Sequence, residues 1–338
     1  VSAAAPATVV CFGEALVDLL ARAPASPATP PSFTAYAGGA PANVAVAVAR
    51  LGGAARFVGM LGEDLFGELL AGELQRAGVD ISCTRRTRQA KTALAFVALD
   101  EHGERSFSFY RPPAADLLFR AADFAPRAFA EAAVFHVCSN SLTEAPIAAA
   151  TLAGVHAARA AGALISMDVN LRPSLWGAGV DPAPLVWQLL LEADLVKLDE
   201  AELDFLARSS GGAQAALARA FAARAQVVVV TAGAAPFRWL ARGGAAGGGT
   251  TGGTVRTFAV SAVDSTAAGD AFVGGWLQAL VAAGVRRDTL REWLAPPRQL
   301  EQALRYAAAC GALATTRHGA FAAMPAAAEV QALLGTGA

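Results

Sequence analysis

The chain has 338 residues, 55% hydrophobic and 16% charged, with a formal net charge of −1. That length and composition bury a large core, as one α/β domain or two smaller ones, and the near-neutral balance argues against a nucleic-acid stripe or a polybasic membrane patch. Cys11, Cys83, Cys138 and Cys310 form no CxxC pair and the four histidines show no ligand spacing, so the expectation is neither zinc nor disulfides, in a reducing cytoplasm. The N-terminal VSAAAPATVV lacks a basic start and a long apolar core and does not read as a signal peptide. VVVV at 227–230 is too short to span a bilayer.

In chain order, β-branched runs predict strands over 9–20, 56–60, 133–138, 164–168, 195–198 and 227–231. Alanine-rich amphipathic stretches predict helices over 42–51, 65–77, 146–161, 200–206, 268–283 and 299–316. Strands spaced by helices imply a mostly parallel sheet covered on both faces, with right-handed crossovers. Residues 92–100 and 105–110 break the rhythm: two alternating runs joined by EHGE, with no helix between, read as a β-hairpin. With the distal part of the first strand and SFTAY (32–36) it is expected to form a small separate sheet. GGAAGGGTTGG (243–253) reads as a hairpin tip, and APPRQ (295–299) as a turn between helices.

Three stretches carry chemistry. AVDSTAAGDAFVGG (262–275) puts small residues Ala267, Ala268 and Gly269 before Asp270 at a helix start. Such an end has unpaired N–H groups and a positive dipole, which suit an anion. Asp270 is either functional or simply a favourable acid in a first helical turn. AGGAPANVAVAVARLGG (37–53) places Gly38, Gly39 and Pro41 at another helix start, with Asn43 beside the glycine turn; a generic turn also explains it. Upstream, GEALVD sets Asp18 on the same alternating face as Glu14 and Leu16, where a carboxylate must meet water or a ligand.

Together, in this order and separation, the motifs resemble the ribokinase-like (PfkB) family of carbohydrate kinases, over nearly the whole chain. SFSFYRPPAADLLF (106–119), MDVNLRPSLW (167–176), DLVKLDEAELDFL (194–206) and ACGALATTRHGAFAAMP (309–325) are further landmarks, and two of them look most like the fructokinase branch. The resemblance implies a three-layer α/β/α fold, residues 1–338 as a single kinase domain, and a β-sheet lid built from about 14–36 and 92–111. It implies transfer of the γ-phosphate of ATP to a sugar hydroxyl, D-fructose first, with 2-keto-3-deoxygluconate and ribose as alternatives. A non-catalytic sugar- or nucleotide-binding member of the fold is the remaining reading. Asp270 matches the general base, and Ala267, Ala268 and Gly269 the anion hole. Asp18, Gly38, Gly39 and Asn43 match sugar-binding positions. Arg111 and Arg172 are further sugar or phosphate contacts, against the alternative of surface ion pairs. Arg111 is expected to swing in as the lid closes.

For the nucleotide, Thr231 and Gly233 match a T-x-G-x-x-G loop, and Asp199 and Glu202 an N-x-x-E motif tied to Mg2+ and phosphate. Ala308 falls where an adenine-side Asn is common. Asp264, Thr266 and the carbonyls near Ala314, Arg317 and Gly319 match a monovalent cation site, for which K+ is the expected ion. Pro236, Asp199, Ala267 and Ala308 depart from the family pattern. The family also implies a homodimer formed through the lid. A nicotinamide-dependent oxidoreductase is excluded, because no G-x-G-x-x-G follows the first strand.

Overall fold

Apolar runs of the sequence become the strands of one central sheet. The computed structural model describes residues 7–22, 30, 32–99, 105–243 and 249–336. The chain begins β1 (Thr8–Phe12), β2 (Leu16–Arg22), β3 (Ser32–Gly38), α1 (Ala40–Arg50), β4 (Ala54–Val58), β5 (Met60–Gly62), α2 (Leu65–Arg76) and β6 (Arg85–Thr87). It continues through β7 (Leu94–Leu99), β8 (Arg105–Tyr110), β9 (Ala132–Cys138), α3 (Ala145–Ala160), β10 (Leu164–Asp168), α4 (Ala183–Leu190), β11 (Leu195–Asp199), α5 (Glu200–Arg208) and α6 (Ala213–Ala222). Last come β12 (Val227–Thr231), β13 (Phe237–Arg242), β14 (Thr250–Val255), α7 (Ala268–Ala282), α8 (Leu290–Trp293), α9 (Pro297–Ala314) and α10 (Ala327–Gly335).

Eight strands line up as β14-β13-β12-β11-β10-β9-β1-β4. The run from β4 to β12 is parallel, and β13 and β14 add an antiparallel edge. Parallel strands are covered on both faces and so read as unbroken apolar runs; all five residues of β1 are buried. One apolar cluster joins α1, α2, α7, α9 and α10 to the sheet, and a second joins α3 to α6 to its other face. The three layers expected from the sequence are therefore present.

Where the sequence suggested one strand over 9–20, there are two, in different sheets. Gly13 sits between them at φ 144, and a Cβ there would come 2.7 Å from both Pro41 and Ser141. Only glycine fits so close a turn. The strand expected over 56–60 also divides, with β5 leaving to pair with β6. Residues 250–253, expected as a hairpin tip, belong to β14, where Gly252 and Gly253 pair with Leu240 and Trp239. Pairing with a neighbour overrides the low strand propensity of that segment. Pro297 to Gln299 open α9 and leave only the first part of APPRQ as a turn.

The small separate sheet has the order β3-β2-β7-β8. The EHGE turn at 101–104 and the centre of the glycine-rich segment (244–248) lie outside the described residues. Phe96 packs its ring between those of Phe33 and Tyr110, with centroids 5.4 and 5.0 Å away. Phe33 and Tyr110 remain exposed, at 46% and 65%. Among the described residues, no helix is long and apolar enough to cross a membrane.

Candidate active site

In an open parallel sheet the loops leaving the strand C-termini converge, and ligand crevices form there. Here the ends of β1, β9 and β10 deliver Glu14, Asn140 and Asn170 to one cavity of about 320 Å³. The α1 start adds Gly39 and Asn43, β2 adds Asp18, and the α7 start adds Ala267 and Asp270.

Asp270 lies in the first turn of α7 and is 8% exposed. Its two oxygens accept from two amides: Asn43 Nδ2 at 2.7 Å and Asn170 Nδ2 at 3.4 Å. Burial pushes its pKa up to about 7; the Asn43 bond works against that, the Asp168 charge adds to it, and Arg172 and Lys197 pull it back. The result is a fixed carboxylate that changes protonation near neutral pH, which suits a general base.

Ala267 caps α7 in the left-handed region, at φ 59. A side chain there costs about 1 kcal/mol relative to glycine, which gives the departure at this position a physical meaning. The N–H groups of Ala267 and Gly269 make no hydrogen bond among the described residues, whereas that of Ala268 turns back to the Ser265 carbonyl at 3.3 Å. Of the three N–H groups expected in an anion hole, one is thus already engaged.

The glycine turn before α1 is built as the sequence suggested. Gly39 is the N-cap at φ 105 with no side-chain cap, and its carbonyl accepts from Asn43 N–H at 2.7 Å. Gly38 leaves room for Asp18, whose Oδ2 would lie 2.6 Å from a Cβ at that position. Glu14, Leu16 and Asp18 all face the cavity, although Glu14 and Leu16 are themselves buried.

Arg111 departs from expectation. It is no mobile residue waiting on a lid: it is 2% exposed and paired with Asp116, from Nε at 2.9 Å and Nη2 at 2.6 Å. A guanidinium so buried needs its counter-charge in place, and Glu14 adds a second. It still lines the cavity, and its Nη1 has no partner. Asn43 Oδ1 and Asn140 Oδ1 are buried and unpartnered too. Orphaned donors and acceptors are rare in folded proteins, and here they line one cavity, which suits a polar ligand. Arg172 is exposed at the rim, and its Nη1 donates to the Leu171 carbonyl at 3.2 Å. It forms no ion pair among the described residues, so the surface-pair reading fails.

Of the residues expected to bind nucleotide, Asp199 and Thr231 are register neighbours at the ends of β11 and β12. Asp199 and Glu202 form a reciprocal capping box on α5, at 2.8 Å each way. Glu202 also accepts from Leu171 N–H at 2.7 Å. Burial, then the Asp168 charge, pushes its pKa up to about 7. Both its oxygens are engaged by backbone, which leaves only second lone pairs for an ion or its waters. Gly233 turns the chain after β12 at φ 60. Ala308 is buried on α9 within the apolar cluster that packs on the sheet.

The residues expected to hold a monovalent cation do come together. Asp264 accepts from Thr266 N–H at 2.7 Å and Gly319 N–H at 3.2 Å, and its own N–H donates to Thr315 beside Ala314. The Arg317 side chain turns away to pair with Glu329. No cluster of three or more His, Cys, Asp or Glu side chains suited to a metal exists among the described residues, so a cation here would depend on carbonyls.

Sequence reasoning did not place Glu14, Asn140 or Asn170 at the cavity. Asn170 carried a signal, since Asn is one of the few residues that accepts a positive φ and it sits at φ 39 just after β10. Asn140 carried none, because its role depends on how β9 packs beside β1.

Residues 6–327 match the pfkB family carbohydrate kinases, and the chain belongs to that family. Fructokinase-1 of Zea mays is 40% identical over 327 residues, covering 96% of this chain and 97% of that protein. A fructokinase from Xylella fastidiosa, solved with bound ATP, superposes with a TM-score of 0.92 at 50% identity, covering 98% of this chain and 99% of the other. A fructokinase from Vibrio cholerae O395, solved with fructose, ADP and calcium, gives 0.82 at 34% identity, covering 97% and 99%.

Proposed function

We propose that this chain is an ATP-dependent fructokinase that moves the γ-phosphoryl group of ATP to the 6-hydroxyl of D-fructose. One observation carries the reading: Asp270, buried and held by two amides, opens onto a sugar-sized cavity beside a helix start with unpaired N–H groups. The relatives and their bound ligands support the choice of sugar and nucleotide.

The sugar occupies the cavity, with Asp18, Asn43, Asn140 and Arg111 meeting its hydroxyls. Asp270 takes the proton of the attacking hydroxyl as that oxygen bonds to the γ-phosphorus. The bond from phosphorus to the bridging oxygen breaks, and its electron pair leaves on ADP. The Ala267 and Gly269 N–H groups receive charge on the transferring group, the contribution that dominates phosphoryl transfer. Asp199 and Glu202 would hold a hydrated Mg2+ that offsets phosphate charge, and the Asp264 loop with the carbonyls of Thr266, Ala314, Arg317 and Gly319 would take K+. Phosphorus NMR of a reaction with fructose and ATP tests the reading: fructose 6-phosphate is the expected product, and free phosphate or no turnover would refute it.

Because Asp270 titrates near 7, kcat/KM for fructose should rise with pH through that value and level off. Arg172 holds the carboxylate down, so Arg172→Gln should move this limb to higher pH. A limb that stays in place would separate Arg172 from the base.

The small sheet acts as a lid that keeps water from competing for the phosphoryl group. Hydrogen exchange of the β7 and β8 amides should slow in saturating fructose; unchanged protection would make the sheet a fixed wall. Its exposed aromatics, Phe33 and Tyr110, fit a homodimer contact. Sedimentation equilibrium should show a dimer that Tyr110→Glu weakens, and a wild-type monomer at every concentration would refute it. The cytoplasm is the proposed compartment, and it would keep the four cysteines reduced.

A further inference from the structure

Lys197 and Arg111 are the only buried Lys or Arg side chains among the described residues. Arg111 serves the sugar end of the site. Lys197 lies beside the α7 start, the phosphate end of the proposed site.

Its position follows from strand register. Asp168 and Lys197 are paired neighbours on β10 and β11. The ammonium donates to both Asp168 oxygens, at 3.0 and 3.1 Å. The pair is sealed, with side chains 9% and 2% exposed. Two ions taken out of water repay their lost hydration poorly, so such a pair is weak evidence of a stabilising role. An ammonium has three N–H donors; two go to Asp168, and the third has no partner among the described residues.

The surroundings of that third donor point to a ligand. A Cβ built on Gly269 would lie 3.2 Å from Lys197 Nζ, so the ammonium rests against the first turn of α7. That is the positive end of the helix dipole, the wrong end for a cation. The arrangement concentrates positive potential on the same turn whose Ala267 and Gly269 N–H groups are unpaired. Asp168, Glu202 and Asp270 all add negative charge nearby. Without Lys197, the buried side-chain charges nearest this turn would all be negative.

We propose that Lys197 is a further catalytic residue, whose ammonium, braced by Asp168, contacts the phosphoryl group in transit beside the Ala267–Gly269 turn. The claim rests on the kinase reading above. The ammonium keeps its proton throughout, so it supplies charge and a hydrogen bond and moves no atom of its own. Burial alone would lower its pKa, but the carboxylates of Asp168 and Glu202 more than offset this and hold it charged.

The competing role is structural: Lys197 would merely neutralise Asp168. Three variants separate the two. Lys197→Met should cut kcat by about 10²-fold, the cost typical of losing one preorganised donor to a transition state. Fructose affinity by calorimetry should not change. ADP with aluminium fluoride, which imitates the transferring phosphoryl group, should no longer be trapped in the presence of fructose. Lys197→Arg should recover part of both signals. The double variant Asp168→Asn/Lys197→Met removes both buried charges and keeps the packing, so it guards against misfolding of the single variant. It should stay slow and trap nothing. Wild-type turnover and trapping in the double variant would overturn the proposal and leave Lys197 structural. Wild-type protein that fails to phosphorylate fructose would overturn the kinase reading itself, whereas active wild type with equally active Lys197→Met would overturn this inference alone.

Discussion

Asp270→Asn should leave a folded, fructose-binding protein whose kcat is roughly 10²–10⁴-fold lower. The amide keeps the shape of the carboxyl and can still accept from Asn43 Nδ2, which now sits 2.7 Å from Oδ2. It cannot take the hydroxyl proton. A second consequence follows from burial. The folded pKa of Asp270, about 7, lies above its ordinary carboxylate value. A raised pKa means that the folded state holds the proton more tightly, so stability is full at low pH and falls as pH rises through 7. Asn carries no such titration. The variant should therefore melt higher than wild type at pH 8, by a margin that shrinks toward pH 4. A variant with near wild-type kcat would remove Asp270 from the chemistry, and a pH-independent difference in Tm would contradict its burial as a titrating group.

Gly39→Ala should be the most damaging single methyl at the site. The backbone there is at φ 105, a region that side chains avoid. The added Cβ would come 2.6 Å from the Glu14 carbonyl and 2.7 Å from Ala15 Cα, and neither is a side chain that can swing aside. Strain and overpacking together should cost about 3 kcal/mol and carry Asn43 away from Asp270. Gly52 is the control: it is at φ 86 with nothing within 4 Å of its Cβ, so Gly52→Ala should cost only about 1 kcal/mol and leave kcat intact. Chemical denaturation of both variants checks this. Equal losses would mean that φ strain alone governs and that the contact with Glu14 and Ala15 yields.

The parts of the site that were legible in the sequence share one property: their geometry is local. Gly39, Pro41 and Asn43 define a helix start within five residues, and Ala267 to Asp270 define another. Helix starts obey rules of capping and dipole that can be read from a short window. Strands 164–168 and 227–231 were legible because doubly covered strands are unbroken apolar runs. What stayed hidden depends on distant neighbours. The break after β1 turns on the space that Pro41 and Ser141 leave around Gly13. Glu14 read only as a strand residue, and its place opposite Arg111 and Asn140 is a matter of packing across 126 residues of chain. Arg111 was misjudged because nothing local shows that Asp116 curls back to hold it. Lys197 read as one lysine in a landmark stretch until its strand was placed beside Asp168.

On the proposed reading this cavity phosphorylates fructose, with Asp270 as base and the α7 start receiving the phosphate. ADP release by the purified protein, measured with ATP and Mg2+ across D-fructose, D-ribose and 2-keto-3-deoxygluconate, tests it most directly. The highest kcat/KM is expected for fructose, with loss of that signal in Asp270→Asn. Release that is equal without sugar, greater with either other sugar, or retained in Asp270→Asn would contradict it.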